Sequence, residues 1–139
     1  MKAGALWMAL AATAASAAEP GRGLQGEWWT PGFNARVRIE ACGDAVCGRI
    51  VWLWDDAPKG IADTGPLIGK PVIEKMRAVA PSRWAEGRLY NPEDGRDYKG
   101  SLHLRSPDLL VLEGCVLFVC RTQVWRRADV ARCPAVSAL

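Results

Sequence analysis

Histidine is nearly missing from this chain: His103 is the only one in 139 residues. One imidazole cannot build a multi-histidine metal centre, and no nucleophile or orienting carboxylate is patterned around it. Runs of basic residues are also missing. The formal charge is only +3, with Lys and Arg scattered among Asp and Glu, which excludes a nucleic-acid footprint. Beyond residue 18 no apolar stretch approaches the ~20 residues of a membrane-spanning helix. Long amphipathic helical patterns are lacking too, and this disfavours a parallel βαβ plan. There is no P-loop, dinucleotide glycine fingerprint or metalloprotease helix. Disorder is excluded as well, because half the residues are hydrophobic and 24% are charged.

What is abundant is turn chemistry, with 14 glycines and 9 prolines, alongside 7 tryptophans. The first eighteen residues differ from the rest. Lys2 opens them, Ala3 to Ala15 is small and apolar, and Ser16-Ala17-Ala18 presents small residues where a signal peptidase reads. The expectation is a signal peptide over 1–18, cleaved before Glu19. It leaves a soluble domain of 19–139 with its core at 26–128, a tail at 129–139, no transmembrane anchor, and a periplasmic or secreted location.

Export changes the meaning of the cysteines. Cys42 and Cys47 are separated by four residues, as are Cys115 and Cys120. Zinc sites favour tighter C-x2-C spacing with histidine support, whereas an oxidising compartment favours disulfides. Four cysteines allow three connectivities. The two local pairings are favoured, because Cys42-Gly43-Asp44-Ala45-Val46-Cys47 has the composition of a hairpin tip. Cys133 is left over, as a free thiol or an intermolecular link.

Strand signals recur at short intervals. Gly26 to Thr30 is an aromatic strand stopped by Pro31-Gly32. Ala35 to Ala41 alternates apolar and charged residues, the period of a half-buried strand. Gly48 to Trp54 is apolar on both faces apart from Arg49. Asp55 to Pro66 is the longest irregular stretch, the size of a lid or binding loop. Lys70 to Met76 suits a strand or a short helical turn, weakened in either role by Pro71. Trp84 to Tyr90 is a strand closed by the turn Asn91-Pro92-Glu93-Asp94-Gly95, which lacks the ligand spacing of a calcium loop. Tyr98 to Arg105 alternates again, and Leu109 to Gly114 with Phe118 to Arg127 makes a final hairpin. About eight consecutive strands predict an all-β, antiparallel up-and-down barrel, with a flattened two-sheet sandwich as the alternative.

Gly26-Glu27-Trp28 matches the G-x-W signature of the calycins, the group that contains the lipocalins. The resemblance implies that Trp28 caps the barrel base and that Arg127, on the last strand, stacks across it. More of the chain resembles the bacterial family called domain of unknown function 2147. The likeness rests on G-x-W at Gly26, on Cys42-x4-Cys47-Gly48-Arg49-Ile50-Val51-Trp52-Leu53, on Gly87 to Tyr98, and on Cys120 to Arg127. It implies a small exported protein with a lipocalin-like barrel and brings no catalytic residues. The match departs at Asp55 to Pro66, where the family's usual Asn-Pro pair is absent.

Arg121, Gln123, Trp125 and Arg127 share one face of the last strand. If Arg127 points into the base, alternation points Arg121 and Gln123 inward too. There they either anchor a ligand carboxylate or phosphate or satisfy one another and nearby backbone groups. Tyr98 suits either arrangement. Trp52 and Trp54 run toward the long loop, as core or rim packing, or as a ligand wall or partner hot spot at the mouth. His103 belongs on the solvated outer face, and adjacent Asp55 and Asp56 point apart as solvated loop charges. No catalytic residue, metal or cofactor is indicated. The first functional reading is a binder of a small apolar or amphipathic molecule. The second is an envelope protein-interaction or inhibitor module with a packed lumen. An enzyme ranks third.

Overall fold

The computed structural model describes residues 3–5, 20–54 and 60–128. The expected signal segment therefore lies outside the described residues except for 3–5, as do Asp55, Asp56, Cys133 and the whole 129–139 tail.

Eight antiparallel strands follow one another around a closed barrel, so the sandwich alternative is set aside. They are β1 (Gly26–Trp29), β2 (Ala35–Cys42), β3 (Ala45–Leu53), β4 (Pro71–Ala80), β5 (Arg83–Asn91), β6 (Arg96–Ser106), β7 (Leu109–Val116) and β8 (Val119–Arg127). A short 3₁₀ turn, Pro31–Phe33, joins β1 to β2. Closure makes every strand pair with the next and β1 with β8, which removes most free sheet edges.

Several boundaries differ from expectation for local reasons. The first cysteine hairpin is tighter than its sequence suggests, with only Gly43 and Asp44 between β2 and β3, and Gly43 at φ +65° supplies the turn. β3 therefore starts at Ala45 rather than Gly48. The stretch after Lys70 is strand throughout. Pro71 is tolerated because it opens β4, where a missing N–H costs least. Pro81 and Ser82, the latter at φ +59°, form the next turn.

Up-and-down connectivity sorts the turns to two ends. At the base lie the 42–45, 80–83 and 106–109 turns. At the mouth lie the 3₁₀ turn, the β3–β4 loop, the 91–96 turn and the β7–β8 tip. The core sits toward the base, built on fully buried Trp28, Ile39, Val46, Ile73, Met76 and Leu110. Leu24, also fully buried, packs there from the segment that crosses the base before β1.

Candidate functional site

Trp28 and Arg127 sit opposite each other across the β1–β8 pairing. The Arg127 guanidinium lies 4.3 Å from the Trp28 ring centre. It also donates to the Pro107 carbonyl at 2.7 Å, to the Gln25 carbonyl at 2.9 Å, and to the Gly23 carbonyl. The Trp28 indole donates to the Leu24 carbonyl at 2.9 Å. A planar cation with five donors can cover a ring face and bond three carbonyls at once, which lysine cannot. Gly26, at φ +126°, leaves room for that guanidinium: a Cβ there would lie 3.0 Å from Nη1. The base is sealed.

Above this plug the barrel is open. A cavity of about 760 Å³ runs to the mouth. Its walls include Val37, Ile50, Val72, Leu112 and Trp125, all buried apolar groups. Gly87, Gly100 and Gly114 are paired in register across β5, β6 and β7, with Arg121 next in the row on β8. Neighbouring side chains fill the room they leave, Met76 at Gly87 and Leu89 with Met76 at Gly100. The Tyr98 ring fills the gap at Gly114, where a Cβ would meet Tyr98 Cβ at 2.9 Å.

Polar groups gather at the mouth. Arg121, Gln123 and Tyr98 all line the cavity together, and Trp54 joins them at the rim while remaining 79% exposed. Gln123 is partly engaged, its Oε1 accepting the Trp125 indole N–H at 2.9 Å. The Tyr98 hydroxyl donates to Asp94, and that bond raises its pKa above the ordinary phenol value. The Arg121 guanidinium has no hydrogen-bond or ion-pair partner among the described residues.

Trp52 is placed elsewhere. Pairing skips a residue of β3 between Arg36–Trp52 and Val37–Ile50, a bulge that reverses the alternation. Ile50 and Leu53 therefore line the cavity, and Trp52 turns to the outer wall. There Arg36 stands 5.4 Å from both the Trp29 and Trp52 rings, and Trp52 packs edge-on against Trp54 at 6.0 Å. Trp52 is part of an outer aromatic stack, and Trp54 links that stack to the rim.

The β3–β4 loop contributes a latch that sequence reasoning missed. Asp63 accepts from the Tyr90 hydroxyl at 2.6 Å, from Lys70, and from the Gly65 N–H at 2.8 Å. The Lys70 and Tyr90 bonds hold its carboxyl down at about 2, and the same contact pushes Tyr90 up to about 12. Backbone bonds from Ala62 to Glu93 and from Asp63 to Pro92 tie the loop to the 91–96 turn. Ile61 and Leu67 thereby become cavity walls. The signal was an acidic loop residue facing a strand-end tyrosine, but the partners are 27 residues apart and no local pattern links them.

Both local disulfides are formed, Cys42–Cys47 at the base and Cys115–Cys120 at the mouth. Glu113 stands beside the second pair, but disulfide sulfurs offer no thiolate for a metal. His103 lies on the outer wall. Burial, then the nearby Arg83 and Arg105, lowers its pKa below that of free imidazole.

A closed eight-stranded barrel with an indole–guanidinium base and an open lumen defines a lipocalin-like protein. The chain belongs to the family described as "Uncharacterized protein conserved in bacteria (DUF2147)", whose profile matches residues 26–127. Among solved structures it is similar to protein HP1028 from the human pathogen Helicobacter pylori, which is described as belonging to the lipocalin family. That likeness has a TM-score of 0.65 and 16% identity, and covers 78% of this chain and 84% of that one. At such identity it shows the fold alone. No curated protein matches the sequence.

Proposed function

We propose that this protein is an exported carrier that holds one small amphipathic molecule in its barrel, apolar body inward and polar head at Arg121. The observation that carries the reading is the lumen itself. About 760 Å³ of space lies above a sealed base, within the ~300–1,000 Å³ of pockets that enclose small molecules. A lumen of that volume does not suit a barrel packed solid. Arg121 supports the polarity of the arrangement: a cavity-lining guanidinium without a partner among the described residues, at the wet end of an apolar chamber, suits a carboxylate, sulfonate or phosphate. Two local disulfides and the small-residue pattern before Glu19 support an oxidising, extracytoplasmic setting.

The test uses 1-anilinonaphthalene-8-sulfonate, an apolar ring system with one anionic head. Fluorescence titration of the mature protein is expected to saturate. Arg121→Met is expected to weaken the affinity ~10-fold or more, the usual worth of a charge-assisted hydrogen bond, with an unchanged circular dichroism spectrum. Absence of saturable binding by folded protein would sink the carrier reading. Equal affinity in the variant would remove the head-group assignment.

A further inference from the structure

The seam that closes the barrel is short. β1 pairs with β8 only at Trp28–Arg127 and Trp29–Arg126. Above those pairs, Val119 to Trp125 bonds to β7 alone among the described residues. Thr30 turns away to bond Ala35, and the 3₁₀ turn lies beside part of β8 without giving it a backbone hydrogen bond among the described residues.

The direction of the free groups follows from alternation. Arg127 N donates to Asp108 O on the β7 side at 3.1 Å, and Ala128 N donates to Glu27 O on the β1 side at 2.8 Å. Odd-numbered residues of β8 therefore bond toward β7 and even-numbered ones away from it. Cys115 and Cys120, directly opposed with Cα atoms 4.0 Å apart, are the narrow, non-bonded type of pair and give the same parity. The N–H and C=O groups of Cys120, Thr122 and Val124 thus point out of the open edge.

Natural edges are usually protected by charge, proline or a bulge. This one has none of these at its outward positions, and its register with β7 is unbroken. Four of the seven exposed large apolar residues among those described, Leu117, Phe118, Val119 and Val124, lie on it or at its tip. Lipid would cover such side chains but cannot bond the backbone. A β-strand does both.

We propose that β8 is a dimerisation edge, to which a second copy of this chain adds its own β8 antiparallel about Thr122. The open stretch runs from 119 to 125 and its midpoint is Thr122, so self-pairing uses all of it. Thr122 then faces Thr122, Cys120 faces Val124, and Arg121 faces Gln123. Threonine pairs are favourable neighbours, and no like charges oppose. Each strand offers three N–H and three C=O groups, so the two copies exchange six hydrogen bonds with none left over. The contact is isologous and closes as a two-fold dimer.

Sedimentation equilibrium tests this on mature protein carrying Cys133→Ser, which prevents a disulfide-linked pair from imitating the dimer. The expected result is a reversible monomer–dimer equilibrium. Thr122→Pro removes an outward N–H and no bond to β7. It is expected to keep the barrel's circular dichroism and raise the dimer dissociation constant at least ~10-fold. Val124→Lys places a charge on the edge and is expected to act the same way, which keeps the test open should the proline variant not fold. A protein that stays monomeric into the millimolar range overturns the proposal, whether or not it captures another protein's strand. So does a dimer that neither substitution weakens.

Discussion

Arg127 illustrates how one side chain can carry a structural motif. Its guanidinium covers the Trp28 ring and bonds carbonyls from the 106–109 turn and from the segment before β1. Replacing it with Met keeps much of the bulk but strips the ring of its cation and the carbonyls of their donor. Arg127→Met is expected to lower the unfolding free energy by ~2–4 kcal/mol, read as a fall in urea midpoint at constant m-value. A loss below ~1 kcal/mol, the scale of an ordinary surface contact, would contradict the base-plug account. Trp52 illustrates the reverse. Its outward position comes from one extra backbone residue in β3, and nothing in the indole itself selects that face.

At the scale of elements, the loop between β3 and β4 is held by a charged hub together with the packing of Leu67 and Ile61 on the core. Asp63 is the hub, and its carboxyl is lowered from an ordinary 3.8 to about 2 by Lys70 first and Tyr90 second. A carboxyl depressed in the folded state stabilises it fully above the ordinary value. That contribution is lost as pH falls from near 4 toward about 2. Asp63→Asn cannot take part in this titration. The stability gap between native protein and Asp63→Asn, measured by urea unfolding across pH, is therefore expected to be constant above the ordinary value and to shrink below it. A gap that does not change with pH would show that Asp63 does not hold the loop as an anion.

For the whole molecule, the two disulfides sit at opposite ends of the barrel, and each links residues five apart in sequence. Loops this small restrict the unfolded chain modestly, by ~2 kcal/mol each in the chain-entropy model. Cys42→Ala with Cys47→Ala is expected to cost about that much stability and to leave the affinity for anilinonaphthalene sulfonate unchanged, because the base lies away from the mouth. Weakened probe binding in that variant would mean that the lumen responds to the barrel as a unit.

Local patterns determined much of this fold. Period-two alternation, turn residues and paired cysteines specify short strands joined by tight connections, because those signals act within a few residues. Gly26, Trp28 and Arg127 marked the base, since a resemblance links positions that are distant in sequence. Arg121, Gln123 and Tyr98 could be assigned to the lumen because alternation along an unbroken strand carries inward orientation from one residue to the next. Tertiary structure alone decided the rest. A bulge sent Trp52 outward, three glycines from separate strands aligned to admit the side chains of Met76, Leu89 and Tyr98, and Asp63 met Tyr90 and Lys70 across the mouth. Each of these depends on register or on contact between distant segments, and register is set only when the barrel closes.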